Sequence, residues 1–141
     1  MKNNIEIGVS LYGFTQQFIE EDGYNFEEMF QDLNRLGVRK FEIVGAQMFQ
    51  NYPNPTDEEI ENVLSLAKKY HVEPFSYGGY VDFGKISDHR MDDDEMMNEV
   101  IYDLMTAKKL GCKYIRGYGI PVHLYERVAQ MAAFYDVVVA Y

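Results

Sequence analysis

Apolar residues along the chain keep changing their period. Ile5–Leu11 (IEIGVSL), Lys40–Val44, Val72–Tyr77, Lys113–Arg116 and Val137–Tyr141 are short runs with the length and β-branched or aromatic content of strands. Between them, apolar residues recur every three or four positions. The first such set is Phe26, Met29, Phe30, Leu33 and Leu36, and the second is Ile60, Val63, Leu64 and Ala67. A third is Met97, Val100, Ile101, Leu104 and Ala107, and a fourth is Leu124, Val128, Met131, Ala132 and Tyr135. Each set predicts a helix with one face turned to a core.

Start signals agree with these helices. Asn25 can cap the first, with Glu27 and Glu28 where negative charge suits the helix dipole. Thr56 with Glu59 forms a capping-box pattern, the acidic run Asp92–Glu95 precedes the third helix, and Pro121 opens the fourth. Phe14–Gly23 reads as a loop with a helical turn. Pro53 and Pro55 predict that Gly45–Pro55 carries no regular element, and Gly78–Met91 reads as a long loop. Pro74 belongs near the start of its strand, where a missing amide donor matters least.

One joint recurs. Leu36-Gly37-Val38, Tyr70-His71-Val72, Leu110-Gly111-Cys112 and Tyr135-Asp136-Val137 each end a helix and begin a strand. Strict alternation of strand and helix implies a parallel sheet with right-handed crossovers. The fold class expected is therefore α/β, with all 141 residues in one domain. Two architectures fit. One is an incomplete (βα)8 TIM-type barrel of about four βα units plus a fifth strand, since a whole barrel takes roughly 250 residues. The other is an open flavodoxin-like doubly wound sheet.

Charge narrows the partners. A net charge of -10 and a pI near 4.6 disfavour nucleic acid and anionic membrane surfaces. No apolar run approaches the roughly 20 residues that span a bilayer. Met1–Asn4 lead straight into a strand without a secretory apolar region, and the single cysteine excludes an internal disulfide framework. A cytoplasmic protein is the expectation.

Ligands of parallel α/β folds bind beyond the C-terminal strand ends. Here those positions are Tyr12-Gly13, Gly45-Ala46-Gln47, Tyr77-Gly78-Gly79-Tyr80-Val81-Asp82 and Arg116-Gly117-Tyr118-Gly119. Tyrosine rings cover the C–H faces of a sugar, and Asp or Arg takes its hydroxyls. Glycines after strands also serve as plain turn residues. Glu42 and Arg116 are polar residues inside strands, and in a barrel the second and fourth strands feed the same interior layers. They form either a substrate contact or an ion pair that satisfies itself. Asp88-His89 with Asp92–Glu95 lacks the glycine and spacing of a calcium loop and reads as helix capping, so no metal site is expected. Cys112 fills the small apolar slot that Val38 and Val72 fill in other joints. His71 and His123 read as structural.

Four segments also resemble the xylose isomerase-like TIM-barrel group of sugar (phosphate) isomerases and epimerases. They are Ile7–Tyr12, Leu36–Ile43, Tyr77–Asp82 and Ala107–Arg116. The resemblance runs over the front half of that barrel only. It implies metal-assisted proton or hydride transfer on a sugar, with Mn, Mg or Zn held by Glu, Asp and His on later strands. Those ligands, and the carboxylates that move the proton, fall outside this chain. The resemblance therefore implies no activity for the chain alone, and carries over only a substrate-facing rim: Tyr12, Glu42, Tyr77, Asp82 and Arg116. The open strand edges of a half-barrel further suggest self-association or a partner that supplies the missing strands. The rival functional readings are a flavodoxin-like cofactor-binding module, with Ser10–Thr15 as its phosphate loop, and a non-catalytic interaction subunit.

Overall fold

Four helices hand over to four strands through one repeated backbone turn. In the computed structural model, which describes residues 5–141, the helices are α2 (Phe26–Arg35), α4 (Asp57–Lys69), α5 (Asp93–Leu110) and α6 (Tyr125–Tyr135). After each comes one residue in the left-handed region: Gly37 (φ 72°), His71 (φ 55°), Gly111 (φ 76°) and Asp136 (φ 56°). The next N–H then turns back into the helix. Val38 donates to the Leu33 carbonyl at 3.0 Å, Val72 to Ala67 at 3.0 Å, Cys112 to Ala107 at 2.9 Å and Val137 to Ala132 at 3.0 Å. This is the Schellman pattern, which satisfies orphan carbonyls and reverses the chain. Val72, Cys112 and Val137 are buried just past it.

The reversals lay down β2 (Lys40–Ile43), β3 (Glu73–Gly78), β4 (Tyr114–Arg116) and β5 (Val138–Ala140) beside β1 (Gly8–Ser10). All pairings are parallel and the order is β1-β2-β3-β4-β5. A flavodoxin-like sheet must reverse its strand order at a switch point. This one never does, so the open doubly wound alternative is wrong. Right-handed crossovers in one direction put every helix on the same face, and α2, α4, α5 and α6 pack in sequence. The core lies between that layer and the sheet. Phe41, Ile43, Tyr77 and Ile115 from the strands meet Phe30, Leu33, Val63 and Leu104 from the helices, all at most 1% exposed.

Capping follows the sequence signals at three helices, whereas α6 starts at Tyr125, after a 3-10 turn (Val122–Leu124), and not at Pro121. Asn25, Thr56 and Asp92 each complete a capping box with a glutamate, and Asp92 accepts from the Asp94 and Glu95 amides at 2.9 Å. Elsewhere the boundaries move. The strand expected over Ile5–Leu11 shrinks to Gly8–Ser10: it is an edge, and Ile5 and Ile7 are 85% and 74% exposed. A 3-10 turn (Leu11–Phe14) and α1 (Thr15–Glu20) replace most of the loop expected to Gly23. α3 (Gly45–Met48) forms in the stretch expected to be irregular, because the prolines act only from Pro53 onward. The expectation for Met1–Asn4 lies outside the described residues.

Two of the four joints carry a left-handed glycine and two carry a side chain where glycine costs least. Gly111→Ala should lower stability by about 1–2 kcal/mol, whereas His71→Gly should raise it by about 0.5–1 kcal/mol, in urea unfolding. Equal effects of the same sign at both positions would contradict this account of the joint.

Candidate functional site

The sheet has a second face, turned away from the helices, and the polar strand residues sit on it. Ser10, Glu42 and Ser76 are in register across β1, β2 and β3. The Ser10 hydroxyl donates to Glu42 Oε1 at 2.7 Å, and the Ser76 hydroxyl to Glu42 Oε2 at 3.3 Å. Arg116 is one strand further away. It still reaches Glu42, Nε to Oε2 at 3.3 Å, because Gly78 stands opposite it on β3. A Cβ at Gly78 would lie 3.2 Å from the guanidinium, a tight contact that the bare glycine backbone spares the crossing.

Glu42 and Arg116 are thus brought together as expected from their strands. The pair is not buried: the Glu42 side chain is 16% exposed and that of Arg116 61%. Guanidinium N–H groups beyond the one on Glu42 remain available to a ligand. With Tyr12 and Gly13, these residues line an open cleft of about 650 Å³ at the C-terminal ends of the strands. The concave face continues toward the other ends of the strands past Lys40, Phe75 and Ser76 in a second cleft of about 350 Å³.

Tyr77 and Asp82 do not join this cleft. Tyr77 is fully buried on the helix side. A bulge explains it: Phe41 pairs with Pro74 but Glu42 pairs with Ser76, so the register slips by one around Phe75. A one-residue slip exchanges the faces of every later residue, and Ser76 takes the concave position. Asp82 lies in the loop after β3, where Oδ1 accepts from the Gly84 amide at 3.0 Å. Tyr118, two residues beyond Arg116, lies past the strand end and turns inward, 3% exposed.

No protein-family model matches the chain. Among curated proteins it is similar to the 3'-dehydrocarminate deglycosidase alpha subunit of a Microbacterium species, 26% identical over 132 residues and 92% of this chain. It is also similar to the C-glycoside deglycosidase alpha subunit of Arthrobacter globiformis, 28% identical over 137 residues and 95% of this chain. The chain spans 38% of the length of either relative. Among solved structures, the probable 3-DHS dehydratase AsbF of Bacillus anthracis superposes with a TM-score of 0.69 at 15% identity. That match covers 96% of this chain and 51% of the other. A xylose isomerase domain containing protein of Salmonella typhimurium LT2 gives 0.63 at 17%, covering 94% and 47%. The chain has the fold of half a xylose isomerase-like barrel.

A divalent metal belongs to the expectation for full-length relatives of this half-barrel, and its strand ends can be tested against that. Among the described residues no group of three His, Cys, Asp or Glu side chains is placed to hold an ion. The cleft offers one carboxylate, Glu42, already engaged by two hydroxyls and a guanidinium. That donor set does not fit a divalent cation.

A second polar cluster lies behind the sheet, and the pattern of apolar positions gave it no weight. Asp103 on α5 is fully buried and accepts the Tyr80 N–H at 3.0 Å. The hydroxyls of Tyr77 and Tyr118 interact with it, yet both hydroxyls and Asp103 Oδ1 lack a partner at hydrogen-bond geometry. Burial pushes the Asp103 carboxyl up to about 8, with Glu99 adding repulsion, against the opposing pull of the Tyr80 amide and the phenols. A signal was present: Asp103 stands between Val100 and Ala107 on the apolar stripe of its helix.

The folded chain therefore holds this proton more tightly than the unfolded chain, whose carboxyl titrates near 3.8. Its contribution should fall as pH rises from about 4 to about 8. Asp103→Asn keeps an acceptor for Tyr80 and removes the proton. The variant should match the parent near pH 4 and exceed it in stability at pH 8, by urea unfolding. A constant difference across that range would contradict the assignment.

Proposed function

We propose that the half-barrel is the sugar-binding front half of a carbohydrate-acting protein of the isomerase or epimerase type. The observation that carries the reading is the crossing of Arg116 over Gly78 to Glu42, at the strand ends of an open concave face. A carboxylate whose orientation is fixed by Ser10 and Ser76 accepts hydroxyl donors, and an exposed guanidinium donates to hydroxyl or carbonyl oxygens. Tyr12, 60% exposed on the rim, supplies a ring face. Catalytic groups and any metal come from polypeptide outside this half, and the chain alone turns over no sugar.

A second reading is supported by the two deglycosidase alpha subunits. Here the same cleft holds the sugar part of a glycoside, and the chain works as part of a multi-subunit enzyme. Both readings require closure of the concave face. A whole barrel has eight strands and the described residues form five, so three more are needed from elsewhere.

Millimolar D-fructose or D-glucose, titrated into the labelled protein, should shift the Arg116 Nε–H and Ser10 resonances in NMR spectra. Glu42→Gln should weaken that binding about tenfold or more, the worth of a hydrogen bond to a charged group. Shifts confined to other surfaces, or sugar affinity unchanged by the substitution, would overturn the reading.

A further inference from the structure

The long segment between β3 and α5, Gly79–Met91, is not a free loop. Three acidic residues spaced four apart on α5, Glu95, Glu99 and Asp103, form one stripe along the helix. Each holds a different point of the segment. His89 Nε2 sits 2.9 Å from Glu95 Oε1, Lys85 Nζ sits 2.6 Å from Glu99 Oε1, and the Tyr80 N–H donates to Asp103 at 3.0 Å.

The rungs grow steadily more buried toward the sheet. The side chain of Glu95 is 30% exposed and that of Glu99 7%, while Asp103 is fully enclosed. At its root the segment is tied to the candidate site, since the Gly79 N–H donates to the Arg116 carbonyl at 3.1 Å. Val81 and Met91 anchor its two ends in the core. Between those anchors Phe83 is half exposed, and Tyr80 beside the root is half exposed as well.

We propose that Gly79–Met91 is a strap latched to α5 by this carboxylate ladder, which opens first at the His89 rung, between its two core anchors, and carries Tyr80 and Phe83 as rings that meet the bound sugar. The sugar contact rests on the reading given under Proposed function; the latch does not. An exposed outer rung and a buried inner one make opening stepwise, and His89 lets go before Lys85 and Tyr80.

The latch responds to pH. His89 is raised by Asp88 at 2.8 Å, then by Glu95, with Asp92 adding to the field. A raised histidine holds the strap below its folded titration point and releases it as pH rises through that point. Asp103 works oppositely at its own rung, because the Tyr80 N–H favours the ionised carboxylate. It faces Glu99 on its own helix, Tyr77 on β3, Tyr118 beyond β4, Tyr52 from the α3–α4 segment and the Tyr80 amide of the strap. Its buried proton is lost near pH 8.

Amide hydrogen exchange by NMR, corrected for intrinsic rates, reads the strap without any ligand. His89→Gln should speed exchange at Gly84 and Lys85 about two- to fivefold at pH 6, the worth of an exposed ion pair, and leave the amides of β2 and mid-α5 unchanged. Lys85→Met should extend the effect to Tyr80. In the parent chain, strap exchange should rise between pH 6 and pH 8, and His89→Gln should flatten that rise. Unchanged strap exchange in both variants would overturn the latch. Phe83→Ala should weaken D-fructose binding without altering exchange. If Glu42→Gln weakens the sugar and Phe83→Ala does not, the ring contact is wrong while the site reading stands. If exchange behaves as stated and neither sugar binds, the latch stands and the site reading fails.

Discussion

The bond from the residue after each joint back into its helix sets the direction of every strand that follows. A left-handed residue reverses the chain in the same sense four times, at Gly37, His71, Gly111 and Asp136. Each reversal places a strand next to the previous one, and right-handed crossovers keep the helices on one side. The polar cleft depends on this. Only when β2, β3 and β4 are neighbours in that order can Arg116 cross a glycine to reach Glu42. A reversed strand order would have covered the second face with helices and left no open concave surface.

The two polar clusters sit on opposite sides of the sheet and have opposite chemistry. On the concave side Glu42 is accessible and satisfied by two hydroxyls and a guanidinium. On the helix side Asp103 is enclosed and only partly satisfied, and burial keeps its proton on near neutrality. An unsatisfied buried polar group costs about 1–3 kcal/mol, so the fold tolerates a local penalty there. What that position gains is a grip on Tyr80, and with it the root of the segment next to Arg116.

Most of the fold was legible because it rests on local, repeated signals. The caps of three helices, most of each apolar stripe and the four joints fell where side-chain chemistry places them; Leu36, 68% exposed, and the fourth helix start did not. Glu42 and Arg116 were legible for the same reason, as charged residues inside strands. Tyr77 was misread because a bulge at Phe75 exchanges the faces of β3, and sequence periodicity cannot count a residue the ladder skips. The short helix α3 was hidden by prolines that lie beyond it. Asp103 was overlooked because a carboxylate on an apolar stripe looks like a break in the pattern, and its tyrosine partners arrive from distant strands.

Residues 5–141 form half of a barrel and leave its concave face bare. Among the described residues Phe75 and Val138 are 40% and 50% exposed, and β1 and β5 each pair on one side only. Alone in solution, such a surface and two open parallel edges should find each other. Light scattering on the purified chain at micromolar concentration tests this most directly. The account predicts a mass of two or more copies of the 16.5 kDa chain. A single 16.5 kDa species at every concentration would contradict it.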